Sequence, residues 1–490
     1  MDVLKAAFHS PHFQVLSQDQ IKQVYQATLA CLLQTGVEVN NPEALALLGD
    51  AGARIDGNRV RIPAPIIENA VAQAPSSFVI HGQEPQWDMA VEPGQVHFGP
   101  GPTCTYYMDP ETGERRKAQR QDPATTAHVC DALDHIDYIM SLGLIDNVSA
   151  SLASVHEFAQ MITHTKKPVL AWAFETDHLE AICQIAAAVA GGSGAFCQRP
   201  NFGFFSTWQA PLIHTDKDLA NCFLAVEKDI PVIYLGGGIA GLSGPITGAG
   251  LMVTNLACML SGLAILQLKK AGTPVCLGAI PAPMDLRTAR LAYGGPEMSL
   301  YSAAISEVTH FLGIPYMGTA GASDSKVVDL QAAIESALQV VLSQFSQVNL
   351  VHDVGFLDCA DIGSLEMLVM TNEIICLARR IAKGIEVNPE TLMLDLIDEV
   401  GPGGNFIMSP QTATRCRQEI LTPELMDRNA CQLWEKNGSV TMLARIRKKL
   451  SEILSKPSSV KLPAEVHERI NRIIETAENS ANSHRFEKTG

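Results

Sequence analysis

Eight short apolar runs, the first seven each leading into a helical stretch, govern what this chain can fold into. They are DYIMSLGLI (137–145), KPVLAWAF (167–174), NFGFFSTW (201–208), IPVIYLGG (230–237), TPVCLGAI (273–280), IPYMGTAG (314–321), NLVHDVGF (349–356) and EVGPGGNFI (399–407). Runs of this length without polar alternation read as strands buried on both faces. Strands of that kind separated by helices pair in parallel. Eight such units predict an α/β protein with a (β/α)8 TIM barrel, whose chemistry sits at the carboxyl ends of the strands. The eighth run is crowded by Gly and Pro.

The flanking sequence differs in character. Residues 1–122 predict an N-terminal α/β cap region, 123–421 the barrel and 422–490 a C-terminal helical extension. Within the cap, Ser17 and Gln20 form a capping box that opens a helix over 17–35, which Gly36 ends. The DPETG turn at 109–113 predicts a hairpin. A tail from about 477 is expected to fray.

Bulk properties exclude several function classes. Lys plus Arg number 36 against 52 Asp plus Glu, giving a net charge of −16. A nucleic-acid partner is not expected from such a chain. The 12 cysteines form no CxxC, and no clustered ligands predict a metal. Buried, reduced thiols point to a cytoplasmic location. The N-terminus MDVLKAAFHSPHFQ lacks the apolar core of a signal peptide. The uncharged stretch 246–268 has the length of a membrane span. It carries Asn255 and lies among alternating strands and helices, so a buried core helix is expected. A formal GxGxxG at Gly236, Gly238 and Gly241 has no acidic residue between Asp229 and Asp285, which argues against a dinucleotide site.

The strand ends carry the candidate site. Trp172 and Phe174 close the second run, Phe205 and Trp208 the third, and Tyr234 the fourth, with Tyr106 from the cap region. Only 6% of the chain is aromatic, yet two of its four tryptophans are in this set. Aromatic faces attract cations, quaternary ammonium groups above all. Each ring could equally fill the barrel. Polar candidates join them: Asp285 and Arg287 after the fifth run, Glu297 in YGGPEMS, Ser323 and Asp324 after the sixth, His352, Asp353 and Phe356 in the seventh, and Asn405 in the eighth. Arg287 is suited to a ligand carboxylate. His352 and Asp324 are the candidate catalytic groups. No GxSxG, phosphate loop, HExxH or kinase signature is present, so the reactive partner comes from outside.

VDLQAA after SDSK, GPITGAG, AGTPVCLGA, GGPEMSL, GPGGNF and LMDR…LWEKNG together make the sequence resemble the trimethylamine methyltransferase family, in its branch without pyrrolysine. The resemblance runs over nearly the whole chain. It implies a barrel that binds a methylamine and passes a methyl group to the Co(I) of a separate corrinoid protein, with no tightly bound cofactor of its own. The strand-six loop that holds pyrrolysine in the trimethylamine enzymes reads ASDSKVVD here, with Val327 nearest the equivalent place. Relatives of this branch use quaternary amines: glycine betaine, the substrate preferred here, or proline betaine, carnitine or γ-butyrobetaine. A homo-oligomer is expected, and no membrane partner. The competing readings are a lyase-like barrel enzyme acting on a small metabolite and a non-catalytic binder of betaines or of a corrinoid protein.

Overall fold

The computed structural model describes residues 11–488, with side chains to residue 480; the first ten residues, read above for a leader, lie outside it. Seven strands form one parallel sheet: β1 (His97–Phe98), β2 (Val169–Ala171), β3 (Phe202–Thr207), β4 (Val232–Gly236), β5 (Val275–Ala279), β6 (Tyr316–Thr319) and β7 (Leu350–His352). Their spatial order is β1-β7-β6-β5-β4-β3-β2. Helices separate the successive strands from β2 to β7, as parallel crossovers require.

Six of the eight apolar runs are thus strands of this sheet. The first run, 137–145, bonds to both of its edges. The Asp137 N–H donates to the Phe98 carbonyl (2.7 Å) and the Leu170 N–H to the Ile139 carbonyl (3.0 Å). The sheet therefore curls round, with this segment between β1 and β2.

The eighth run is not a strand. Leu394–Val400 is helical, and Gly401 and Gly403 take φ of 65° and 79°. Two left-handed residues so close together turn the chain instead of extending it. The place beside β7 belongs to β1, which pairs Leu350 with His97 and Val351 with Phe98. So the N-terminal segment expected to stand apart as a cap contributes a strand to the main sheet.

It also fills the inside of that sheet. A hairpin of Phe78–Ile80 and Met89–Val91 sends Ile80, Met89 and Val91 into a cluster with Leu170, Ile233, Cys276 and Leu350. Each large side chain buried in this way stabilises the fold by about 1.5–3 kcal/mol. These partners lie at or near the amino ends of their strands, which leaves the carboxyl ends for chemistry. Earlier in the chain, Gln18–Gln34 is the expected helix. Its capping box is complete, with the Ser17 N–H donating to Gln20 Oε1 (2.8 Å) and the Gln20 N–H to Ser17 Oγ (3.3 Å). The DPETG turn does form a hairpin, pairing Tyr107 with Arg116.

The long apolar helix is Gly248–Lys269; by length and composition it could cross a membrane, yet 78% of its most apolar window is buried inside the protein. It packs against the helices Gln18–Gln34, Pro42–Asp50 and Ala64–Gln73 and against the sheet. At the other end of the chain, Met442–Leu454 and Ala464–Lys488 are helical, so the backbone is regular well past residue 477. Between Arg379 and Glu424, by contrast, no residue is buried.

Candidate active site

Parity along the strands decides which candidates share the interior. In β4, Ile233 and Leu235 face inward with the hairpin, while Val232 and Tyr234 face the helices. The Tyr234 hydroxyl bonds His214 Nδ1 (2.7 Å), and the ring lies where a side chain at Gly262 would have to be. Trp208 likewise belongs to the helix-side core. Its indole covers Gly236 and donates to the Gly278 carbonyl at 3.3 Å. The expectation that Tyr234 and Trp208 line the mouth therefore fails on parity. The formal glycine motif serves packing too, since a Cβ on Gly236 would strike Trp208 and one on Gly238 would strike Asn255.

Phe205 and Trp172 do face inward. Phe205 is buried with Tyr138, Met140, Leu170 and Met317, and the half-buried Trp172 packs against the same cluster. Phe174 stands edge-on to Trp172 with ring centroids 4.5 Å apart, and remains 45% exposed. The His352 ring lies 6.1 Å from that of Phe205. Trp172, Phe205 and His352 are thus brought together at the carboxyl ends of β2, β3 and β7.

His352 is fixed by a buried polar network. Its Nδ1 lies 2.6 Å from Asp353 Oδ1 and its Nε2 3.1 Å from Thr319 Oγ1. A carboxylate only accepts, so Nδ1 carries the proton. The Tyr293 hydroxyl donates to Asp353 Oδ2. Burial, and then the nearby Asp353, push the Tyr293 phenol well above its ordinary pKa, so it stays a donor. Tyr293 is held in turn by Asp324, whose Oδ1 accepts the Tyr293 N–H at 2.9 Å. Burial raises the pKa of Asp324 as well. The loop after β6 therefore reaches His352 indirectly, from Asp324 through Tyr293 and Asp353. Asp324 itself bonds the Tyr293 backbone and the Cys359 thiol.

The remaining candidates lie elsewhere. Arg287 pairs with Asp285 (2.8 Å) on an outer turn, and its side chain is 89% exposed. Glu297 is exposed in the first turn of Pro296–Phe311, where a negative charge suits a helix N-terminus. Tyr106 has Arg115 and Lys117 over its ring, at 4.2 and 4.4 Å from the centroid. Phe356 is the exception: it is fully buried beside the His352 network, and a Cβ on Gly101 would strike both its ring and Asp353 Oδ1. Arg290, on the strand after that outer turn, pairs with Asp358 at 2.9 Å.

Besides Tyr293, two further groups were not among the sequence candidates. Tyr138 is fully buried in the interior cluster, and its hydroxyl has no partner among the described residues. Glu157 is fully buried on the helix Ala153–Ile162, accepting the Trp172 indole N–H on Oε2 (3.0 Å) and the Ile145 N–H on Oε1 (3.2 Å). Burial pushes its pKa up to about 8.

The trimethylamine methyltransferase (MTTB) family model matches residues 3–482. The chain belongs to this family. A trimethylamine methyltransferase MttB of Desulfitobacterium hafniense (strain DSM 10664 / DCB-2) is 29% identical over 467 residues, covering 94% of this chain and 93% of that protein. A glycine betaine methyltransferase of Desulfitobacterium hafniense (strain Y51) is 26% identical over 468 residues, covering 95% and 97%. The crystal structure of the Methanosarcina barkeri monomethylamine methyltransferase (MtmB) has the same overall fold. It superposes with a TM-score of 0.52 at 14% identity, over 90% of this chain and 89% of that one. Family membership makes the chain a methyltransferase of the methylamine type.

Proposed function

We propose that this chain transfers a methyl group from a quaternary amine to the Co(I) of a corrinoid carried by a separate protein. The curled sheet then works as a (β/α)8 barrel, with 137–142 in its first position and β1 in its eighth. The observation that carries the reading is the inward-facing set of Trp172, Phe205 and His352 on one strand-end surface. Two rings offer π faces to a cation. The hydrogen-bonded His352 holds a polar part of the substrate.

The chemistry asks little more of the chain. A quaternary nitrogen has no proton to remove and leaves as a neutral tertiary amine. The C–N bond breaks with its electron pair going to nitrogen, and the new Co–C bond takes both electrons from Co(I). The residues bind the cation, shed its water and aim one methyl outward. No lysine-derived imine is needed, which fits the ordinary residues of the Ser323–Asp329 loop. Glycine betaine is the preferred donor, supported by the relative of that name. Arg290, which pairs with Asp358, is a candidate partner for its carboxylate in place of the outward Arg287.

A homo-oligomer belongs to the same proposal. The stretch between Arg379 and Glu424 buries nothing of itself and exposes Ile385, Val387, Leu394, Ile407 and Met408. A second copy of the chain is the natural cover for so much apolar surface.

A panel of methylated amines, incubated with the enzyme and Co(I) cobalamin, tests the function. Methylcobalamin absorbance with a quaternary amine supports it, and absence of signal with every quaternary amine while a tertiary amine reacts refutes the substrate class.

A further inference from the structure

Glu157 stands apart from the hydrogen-bonded network of His352. It is a fully buried carboxyl on the helix after the first apolar run, and its two oxygens are directed by two donors. One is the Ile145 amide at 3.2 Å; the other is the Trp172 indole at 3.0 Å. Burying a carboxyl costs free energy unless its oxygens are bonded, so a chain that needed only packing would place an apolar residue here. The adjacent His156 faces the other way, 3.1 Å from Glu478, and among the described residues no charged side chain is one of the groups that act on Glu157. Beside the nearby Ser141 hydroxyl, the polar side-chain client of this carboxyl is the indole edge of Trp172.

We propose that Glu157 is a positioning residue for cation recognition, holding the Trp172 indole by its edge so that the ring face is presented, and made electron-rich, toward the methylated nitrogen. This rests on the quaternary-amine reading above. Two consequences separate it from a structural role. A hydrogen bond from the indole N–H to a carboxyl group polarises the ring, and more so when that group is ionised. A bound cation nearby also favours ionised Glu157. By linkage the cation then binds more tightly as Glu157 loses its proton, and binding releases a proton on the acid side of that titration.

The test compares glycine betaine with 3,3-dimethylbutanoate, in which carbon replaces the charged nitrogen. Both are titrated calorimetrically into the full-length wild type, Glu157→Gln and Glu157→Leu between pH 6.5 and 9.5. In the wild type, the preference for the cation is expected to grow as the pH rises through about 8. Glu157→Gln keeps an acceptor for the indole, retains most of the preference and loses its pH dependence. Glu157→Leu loses about tenfold of the preference, the scale of one cation–π contact. A folded Glu157→Leu with full preference overturns the proposal and leaves the quaternary-amine reading standing. Should that variant not fold, identical pH profiles for wild type and Glu157→Gln overturn it equally. If the wild type binds the two compounds alike, cation recognition itself fails, and the proposal with it.

Discussion

His352 Nδ1 lies 2.6 Å from Oδ1 of the next residue in the chain, Asp353, whose backbone adopts a left-handed φ of 71°. The turn at Asp353 brings the carboxylate back onto the ring that precedes it, and both side chains are buried. Asn and Asp tolerate this backbone better than other residues with a side chain. Asp353→Asn should therefore fold, while Asp353→Ala loses both the backbone fit and the buried partner. Melting curves check the order: wild type, then Asn, then Ala, with Ala lower by several degrees.

The orientation also bounds what His352 does. Under the proposed quaternary-amine reaction there is no proton to abstract, so His352 is expected to hold substrate and not to act as a general base. His352→Gln should keep part of the activity because an amide still donates. His352→Ala should raise KM more than it lowers kcat. Equal losses of kcat at fixed KM in both variants would point instead to proton transfer.

Trp172 and Trp208 separate binding from packing. Trp172→Ala should weaken substrate binding by roughly 1–2 kcal/mol with a small change in melting temperature. Trp208→Ala empties a site that is packed against Gly236, and should cost about 3–5 kcal/mol of stability without a selective rise in KM. Parallel KM and denaturation measurements check both. Trp208→Ala with normal stability and a raised KM would return that ring to the mouth.

His214 supplies a pH prediction. Burial between Tyr234 and Ser261 lowers its pKa to about 3, against an ordinary value of 6.5. A base depressed on folding stays neutral in the native chain while the unfolded chain takes up a proton. Its contribution to stability is complete above about pH 6.5 and is lost as pH falls toward 3. Unfolding free energies measured across that window should decline less steeply for a folded His214→Gln than for the wild type.

The exposed apolar stretch makes a separate prediction about assembly. Mass measurement in solution should find more than one chain per particle, and Ile385→Asp combined with Ile407→Asp should shift the particle toward the monomer. A wild-type monomer at micromolar concentration would contradict the proposed self-association.

The legible part of the fold was its repeating part. Runs such as NFGFFSTW and TPVCLGAI carry no polar alternation because both faces of a parallel strand are covered, and that made them recognisable as strands. The same uniformity hid which side each residue faces. Phe205 and Trp172 look no different in sequence from Trp208 and Tyr234, yet only the first pair points inward. β1 was assigned to the cap region because His97–Phe98 is too short to show any period. Its place was given to GPGGNF, whose glycines in fact turn the chain. The strand-end position of His352 was legible from its run. Tyr293 and Glu157 were not, since they reach the network and the indole from a turn and a helix face, across contacts between elements that no local pattern records.

Methyl transfer from a quaternary amine to cobalt is decided by a product balance. Enzyme, a quaternary amine and stoichiometric Co(I) cobalamin are followed together, by absorbance for methylcobalamin and by NMR for the amine. One demethylated tertiary amine is expected for each methylcobalamin formed, with both reduced together in Trp172→Ala at subsaturating substrate. Consumption of the amine by elimination, with no methylcobalamin and no tertiary amine retaining the rest of the substrate's carbon skeleton, would contradict it.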